Sequence, residues 1–127
     1  MTFDNSKVAG TLLLVGGAQF VIALIIAEAI YPNYSISANY ISDLGVWSKP
    51  SAAIFNPSII VFGSATLASS VFIKKQFKLG KIAYLFALAG AGTIGVGIFP
   101  EDTFLVNGIP VIHAIAALLA FVVGGIS

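Results

Sequence analysis

The chain has 127 residues, 58% of them hydrophobic and 9% charged, with a mean hydropathy of +1.03. Soluble domains carry roughly 25% charge, so lipid is the expected solvent. A net charge of +1 and a complete lack of arginine exclude a basic nucleic-acid surface, and the lack of cysteine excludes disulfides, thiolate zinc sites and cysteine nucleophiles.

The first apolar run, about 8–30, follows a start in which Lys7 is balanced by Asp4. Ala27-Glu28-Ala29 imitates a small-x-small cleavage site, but the run exceeds the 7–15 residues or so of a signal core, so a retained membrane helix is expected. Asn5 or Ser6 is its expected cap and Pro32 its stop. Gln19, near its middle, is expected to make an interhelical hydrogen bond.

Between residues 31 and 50 the apolar residues Ile36, Tyr40, Ile41, Leu44 and Trp47 recur at helical spacing. This predicts a short amphipathic helix over about 36–44, capped by Ser35, ended by a left-handed Gly45, and lying at the headgroup level. Tyr31, Tyr34, Tyr40 and Trp47 supply an aromatic belt there.

The second crossing is expected over about 53–73. Asn56-Pro57 permits two readings, a helix from about Ser51 that contains Pro57 or one capped by Asn56 with Pro57 first. Residues 82–99 form the third crossing, ended by Pro100. Within it Gly90-Ala-Gly-Thr-Ile-Gly95 matches G-x-G-x-x-G, but no strand precedes it and Glu101 comes too soon for a ribose-binding acid. Ala87, Ala91 and Gly95 are instead expected to form a helix-packing stripe. Asn107-Gly108 is a turn, Pro110 is expected in the first turn of a fourth crossing over about 109–126, and His113, Ala117, Ala120 and Gly124 share its inward stripe.

The expectation is therefore an all-α polytopic membrane bundle forming one domain over 1–127, with four transmembrane helices and one interfacial helix. The fourth helix lacks a polar or aromatic anchor at its far end, so further crossings are expected beyond Ser127. Lys7, Lys74, Lys75, Lys78 and Lys81 gather on one side with only Lys49 opposite, which makes the amino terminus cytoplasmic in a multi-pass cell-membrane protein.

Tyr31-Pro-Asn-Tyr-Ser-Ile-Ser-Ala-Asn-Tyr-Ile-Ser-Asp-Leu-Gly45 and Gly97-Ile-Phe-Pro-Glu-Asp102, followed by His113, resemble the membrane proteins grouped as domain of unknown function 998. The resemblance implies a fold of about six crossings by hydropathy reasoning, with a polar motif on the outer face and no assigned reaction. Ile-Ser-Asp-Leu-Gly is also similar to an element of the Frag1, DRAM and Sfk1 group.

The outer face collects Asp43, Glu101, Asp102 and His113, the candidates for catalysis. A neutral imidazole beside carboxylates is also a donor set for a divalent metal at His113, Asp43 and Glu101, though no H-x-x-x-H or H-E-x-x-H spacing supports it and no other cofactor is expected. Asn39 and Asp43 are four residues apart and are expected on one helix face. Tyr34, Asn39, Tyr40 and Trp47 on the outer side, and Lys74, Lys75, Lys78 and Lys81 on the inner, are candidates for contact with lipid or a partner. The leading functional reading is a non-catalytic membrane subunit that binds lipid or another membrane subunit. An embedded hydrolase or transferase acting on lipid headgroups through His113, Asp43, Glu101 and Asp102 is the alternative. A small-solute transporter comes third, since no charge lies at mid-membrane.

Overall fold

In the computed structural model, residues 4–77 and 80–123 are described. Helix α1 spans Asn5–Ile30, α2 Ala52–Phe77, α3 Gly80–Ile98 and α4 Val111–Leu118, the last continuing as a π-helical turn over Leu119–Val123. Three of these, α1, α2 and α3, are long and apolar enough to cross a membrane, while the fourth apolar helix is shorter within the described residues. The predicted fourth crossing reaches residues 124–126, which lie outside them, as does Lys78.

Capping differs from expectation at α1. Asp4, not Asn5 or Ser6, takes the cap, because its carboxylate accepts from both the backbone amide and the hydroxyl of Ser6 at 2.9 and 2.7 Å. A negative cap also suits the positive end of the helix dipole. At the other end the Tyr31 amide still reaches the Ala27 carbonyl at 3.0 Å, and Pro32 has no amide to continue with.

The interfacial helix over 36–44 is corrected by the structure. Residues 31–40 form turns, with Asn33 left-handed at φ 57°, and only Ile41–Gly45 winds into a 3-10 turn. Short polar side chains explain the loss. The Asn39 side-chain oxygen accepts from the Ser35 amide at 3.0 Å, so Ser35 does not cap a helix, and the Asp43 carboxylate accepts from the Tyr40 amide at 2.9 Å. Such local bonds offer the backbone an alternative to the helical ladder. Gly45 ends up buried inside the 3-10 turn and is not left-handed. Leu44 is buried, whereas Ile36, Tyr40, Ile41 and Trp47 are exposed.

For α2 the structure selects the first reading: the helix starts at Ala52 and contains Pro57. Asn56 is thus interior, and its side-chain amide donates to the Gly45 carbonyl at 2.9 Å while Ser51 Oγ donates to the Leu44 carbonyl at 2.7 Å. Two buried side chains at the start of α2 therefore satisfy the carbonyls that close the 3-10 turn.

Helix α2 is central, packed on α1 and α3, and α4 packs on α3. Gly16 of α1 lies against Ala65, and Phe20 stacks on Phe62 at 5.4 Å. Gln19 behaves as expected, donating across the helix pair to the Ser58 carbonyl at 2.7 Å. Helices α2 and α3 approach closely at Gly63 and Gly90, where a Cβ on Gly90 would stand 2.8 Å from the Gly63 carbonyl oxygen and the Leu67 amide nitrogen.

The packing stripe of α3 is therefore not Ala87, Ala91 and Gly95. Ala91 is exposed, and the glycines divide between two neighbours, with Gly90 and Gly97 facing α2 and Gly92 and Gly95 facing α4. A helix sandwiched between two others needs two small-residue faces, and a period of four describes only one. The G-x-G-x-x-G match serves these contacts.

Between α3 and α4 the chain forms a small antiparallel hairpin, β1 Leu105–Val106 and β2 Ile109–Pro110, not anticipated from the sequence. Its turn is Asn107-Gly108, both left-handed at φ 52° and 79°, the conformation that matches a two-residue loop to the twist of its strands. Pro110 accordingly ends β2 and caps α4 from outside its first turn.

Candidate functional site

The segments 31–50 and 100–110 form a polar cap over one end of the bundle. Glu101 holds them together: Ser42 Oγ donates to Glu101 Oε2 at 2.9 Å, and the Trp47 amide donates to Asp102 Oδ2 at 3.1 Å. Asn39 and Asp43 are joined as expected, though by a direct bond between non-helical and 3-10 residues, with Asn39 Nδ2 donating to Asp43 Oδ2 at 3.0 Å.

Asp43 and Glu101 titrate as a pair. Burial, then the bond to Asp43 and the negative charges of Asp43 and Asp102, push the Glu101 carboxyl up to about 7, against the Ser42 hydroxyl. The same bond from Glu101, helped by Asn39 and the Tyr40 amide, holds Asp43 below the usual carboxylate range. Of the two carboxyls Glu101 is therefore the one that keeps a proton to higher pH, since two adjacent carboxylates cannot both ionise cheaply.

This pair makes the clasp between the two segments sensitive to pH. Glu101, raised from 4.5 to about 7, stabilises the folded cap fully below its ordinary value and loses that contribution as pH rises through 7. Asp43 contributes above its ordinary value of 3.8 and loses its contribution as pH falls below it. The clasp is firmest at about pH 4 to 5. Trp47, the sole tryptophan and tied to Asp102, reports it. Iodide quenching of its emission is expected to rise from pH 5 to pH 8 in the native protein and to stay level in Glu101→Gln; equal slopes in both would remove the titrating pair from the account.

His113 is buried at 7% exposure in the first turn of α4, with Nδ1 2.9 Å from the Phe99 carbonyl oxygen. A carbonyl only accepts, so Nδ1 carries the hydrogen and, in the neutral ring, Nε2 is left with a lone pair. Of the stripe expected to face inward, His113 is buried and Ala117 and Ala120 are half-buried, the fully buried alanine is Ala116, and Gly124 lies outside the described residues. His113 does not join the carboxyl pair as a three-membered site: among the described residues, no three His, Asp or Glu side chains lie close enough to hold one ion.

Beneath the cap lies a cavity of about 830 Å3 between α1, α2, α3 and α4. Phe20, Phe55, Ile59, Phe62, Phe86, Val96 and Ala117 are among its walls. Thr66 and Thr93 also line it, but their hydroxyls are spent on the Phe62 and Ala89 carbonyls of their own helices. Its other polar side chains are grouped at the cap end, on Asn39, Tyr40, Ser42 and His113. Residues 14–127 match the family model described as a protein of unknown function, DUF998. The chain belongs to this family. No match was found among curated proteins or solved structures, and the further likeness to the Frag1, DRAM and Sfk1 group is not shown. In this DUF998 member, Asn39, Asp43 and Glu101 lie in the cap and His113 lies in the first turn of α4.

The remaining candidates are dispersed. Tyr34 and Tyr40 lie in the cap with the Tyr34 hydroxyl 3.4 Å from the Tyr40 carbonyl, and Trp47 is exposed beside them. Lys74, Lys75 and Lys81 are exposed at the opposite end of the bundle. Ser42 was missed by sequence reasoning. Its position inside Ile-Ser-Asp-Leu-Gly was visible, but its pairing with a residue 59 positions away was not.

Proposed function

We propose that this protein is a non-catalytic, lipid-binding membrane subunit, multi-pass in the cell membrane with a cytoplasmic amino terminus, and that its cavity holds the chain of one lipid beneath the polar cap. The observation that carries this reading is the cavity itself: mainly apolar along α1 to α4, with two threonines bonded to their own helices and the remaining polar side chains at the cap end. That is the polarity of an amphiphile. Sites for small molecules have the same composition, a hydrophobic lining with a few placed polar groups, and a volume of about 300–1,000 Å3. Support for binding over hydrolysis comes from His113, whose Nδ1 is committed to a backbone carbonyl and not to a carboxylate that would raise its basicity. The lysines at the far end support the orientation.

Native mass spectrometry of the protein released from mild detergent tests the proposal. One lipid per chain is expected to remain bound, and Thr93→Trp, which fills the cavity, is expected to lower its occupancy at least tenfold while the protein stays folded. Unchanged occupancy in a folded Thr93→Trp variant would place the lipid elsewhere.

A further inference from the structure

The polar end of the cavity discriminates between headgroups through the hydrogens its side chains have already committed. Ser42 spends its only hydroxyl hydrogen on Glu101, so its oxygen can only accept from a ligand. His113 spends Nδ1–H on the Phe99 carbonyl, and its free nitrogen, Nε2, is an acceptor in the neutral ring. Asn39 uses its oxygen on the Ser35 amide and one amide hydrogen on Asp43, which leaves one hydrogen to give. The mouth therefore offers acceptors at Ser42 Oγ, His113 Nε2 and the second lone pair of Asn39 Oδ1, and donors at Asn39 Nδ2 and the Tyr40 hydroxyl. A hydroxyl, which donates one hydrogen and accepts another, complements it.

Charge points the same way. Asp43, Glu101 and Asp102 stand directly behind the polar lining. Among the described residues, Lys74, Lys75 and Lys81 lie at the other end of the bundle, Lys7 is in the first turn of α1, and the ammonium of Lys49 sits 5.3 Å from the centre of the Tyr31 ring. A phosphate here would meet carboxylates without a guanidinium or ammonium to bind it.

Resting on the lipid-binding reading above, we infer that the cavity's ligand is an uncharged lipid alcohol, such as a diacylglycerol, with its free hydroxyl among Asn39, Ser42 and His113 and its chain running past Phe20 and Thr93. The hydroxyl donates to Ser42 Oγ or His113 Nε2 and accepts from Asn39. Leaving those buried acceptors unpaired is what makes a wrong head bind weakly.

Competition among lipids with identical chains tests this in the delipidated protein, with radiolabelled dioleoylglycerol as the probe. Dioleoylglycerol is expected to compete at least tenfold more strongly than its methyl ether, than dioleoylphosphatidate, and than dioleoylphosphatidylethanolamine. In Ser42→Ala the advantage over the methyl ether is expected to shrink several-fold, in a variant whose circular dichroism and elution in detergent match the native protein and so show it folded; an undiminished advantage would overturn the inference. Equal or tighter binding of the ether, the phosphatidate or the phosphatidylethanolamine would overturn the inference while leaving lipid binding intact. Absence of binding by all four would instead bring down the lipid-binding reading on which it rests.

Discussion

Gly90→Leu is expected to lower the thermal aggregation midpoint of the protein in detergent by about 10 °C or more, or to leave no folded protein. The position faces Gly63 across a close approach of α2 and α3, and an added side chain meets the Gly63 carbonyl and the Leu67 amide, which are backbone and cannot rotate away. Over-packing costs typically about 1–3 kcal/mol, and a clash with backbone belongs at or above the top of that range. Folded proteins have only about 5–15 kcal/mol in hand. Gly10→Leu is the control, since nothing lies within 4 Å of a Cβ there. Equal stability of the two variants would show that the glycine crossing does not hold the bundle together.

Labelling of single cysteines in intact cells is expected to be all or none. The native chain has no cysteine, so Ile36→Cys in the exposed part of the cap and Gln76→Cys near the end of α2 can be compared without background. A membrane-impermeant maleimide should modify position 36 fully and position 76 only after the cells are opened. The physical reason is the lysine distribution, which fixes the sidedness of short loops. Reaction at 76 and protection at 36 would invert the protein and put the carboxyl pair in the cytoplasm.

The helical architecture was legible because α1, α2 and α3 are long apolar runs bounded by strong signals such as Pro32, Pro100 and the lysines after Ile73. A pattern of between two and three turns misled. Ile36, Tyr40, Ile41 and Leu44 have the spacing of a helix, but the intervening Ser, Asn and Asp residues bond to nearby amides and only five residues wind up. At Asn107-Gly108 the turn was readable and its strands were not, because Leu105, Val106 and Ile109 merge visually with the apolar start of α4.

For the site, the residue types were visible and their partners were not. Asp43, Glu101 and His113 stood out as the ionisable groups of one face. That Glu101 would pair with Asp43 and Ser42, and that His113 would turn to the Phe99 carbonyl, depends on how α3 and α4 dock, which no local pattern encodes. The cavity was invisible for the same reason: its walls come from four helices and a loop.

A density map of the protein in lipid nanodiscs addresses the central claim most directly. The account predicts one continuous, chain-like density between α1 and α4, running from Ser42 and His113 past Thr93 towards Phe121. A cavity closed by its own side chains, or filled by ordered water alone, would contradict it.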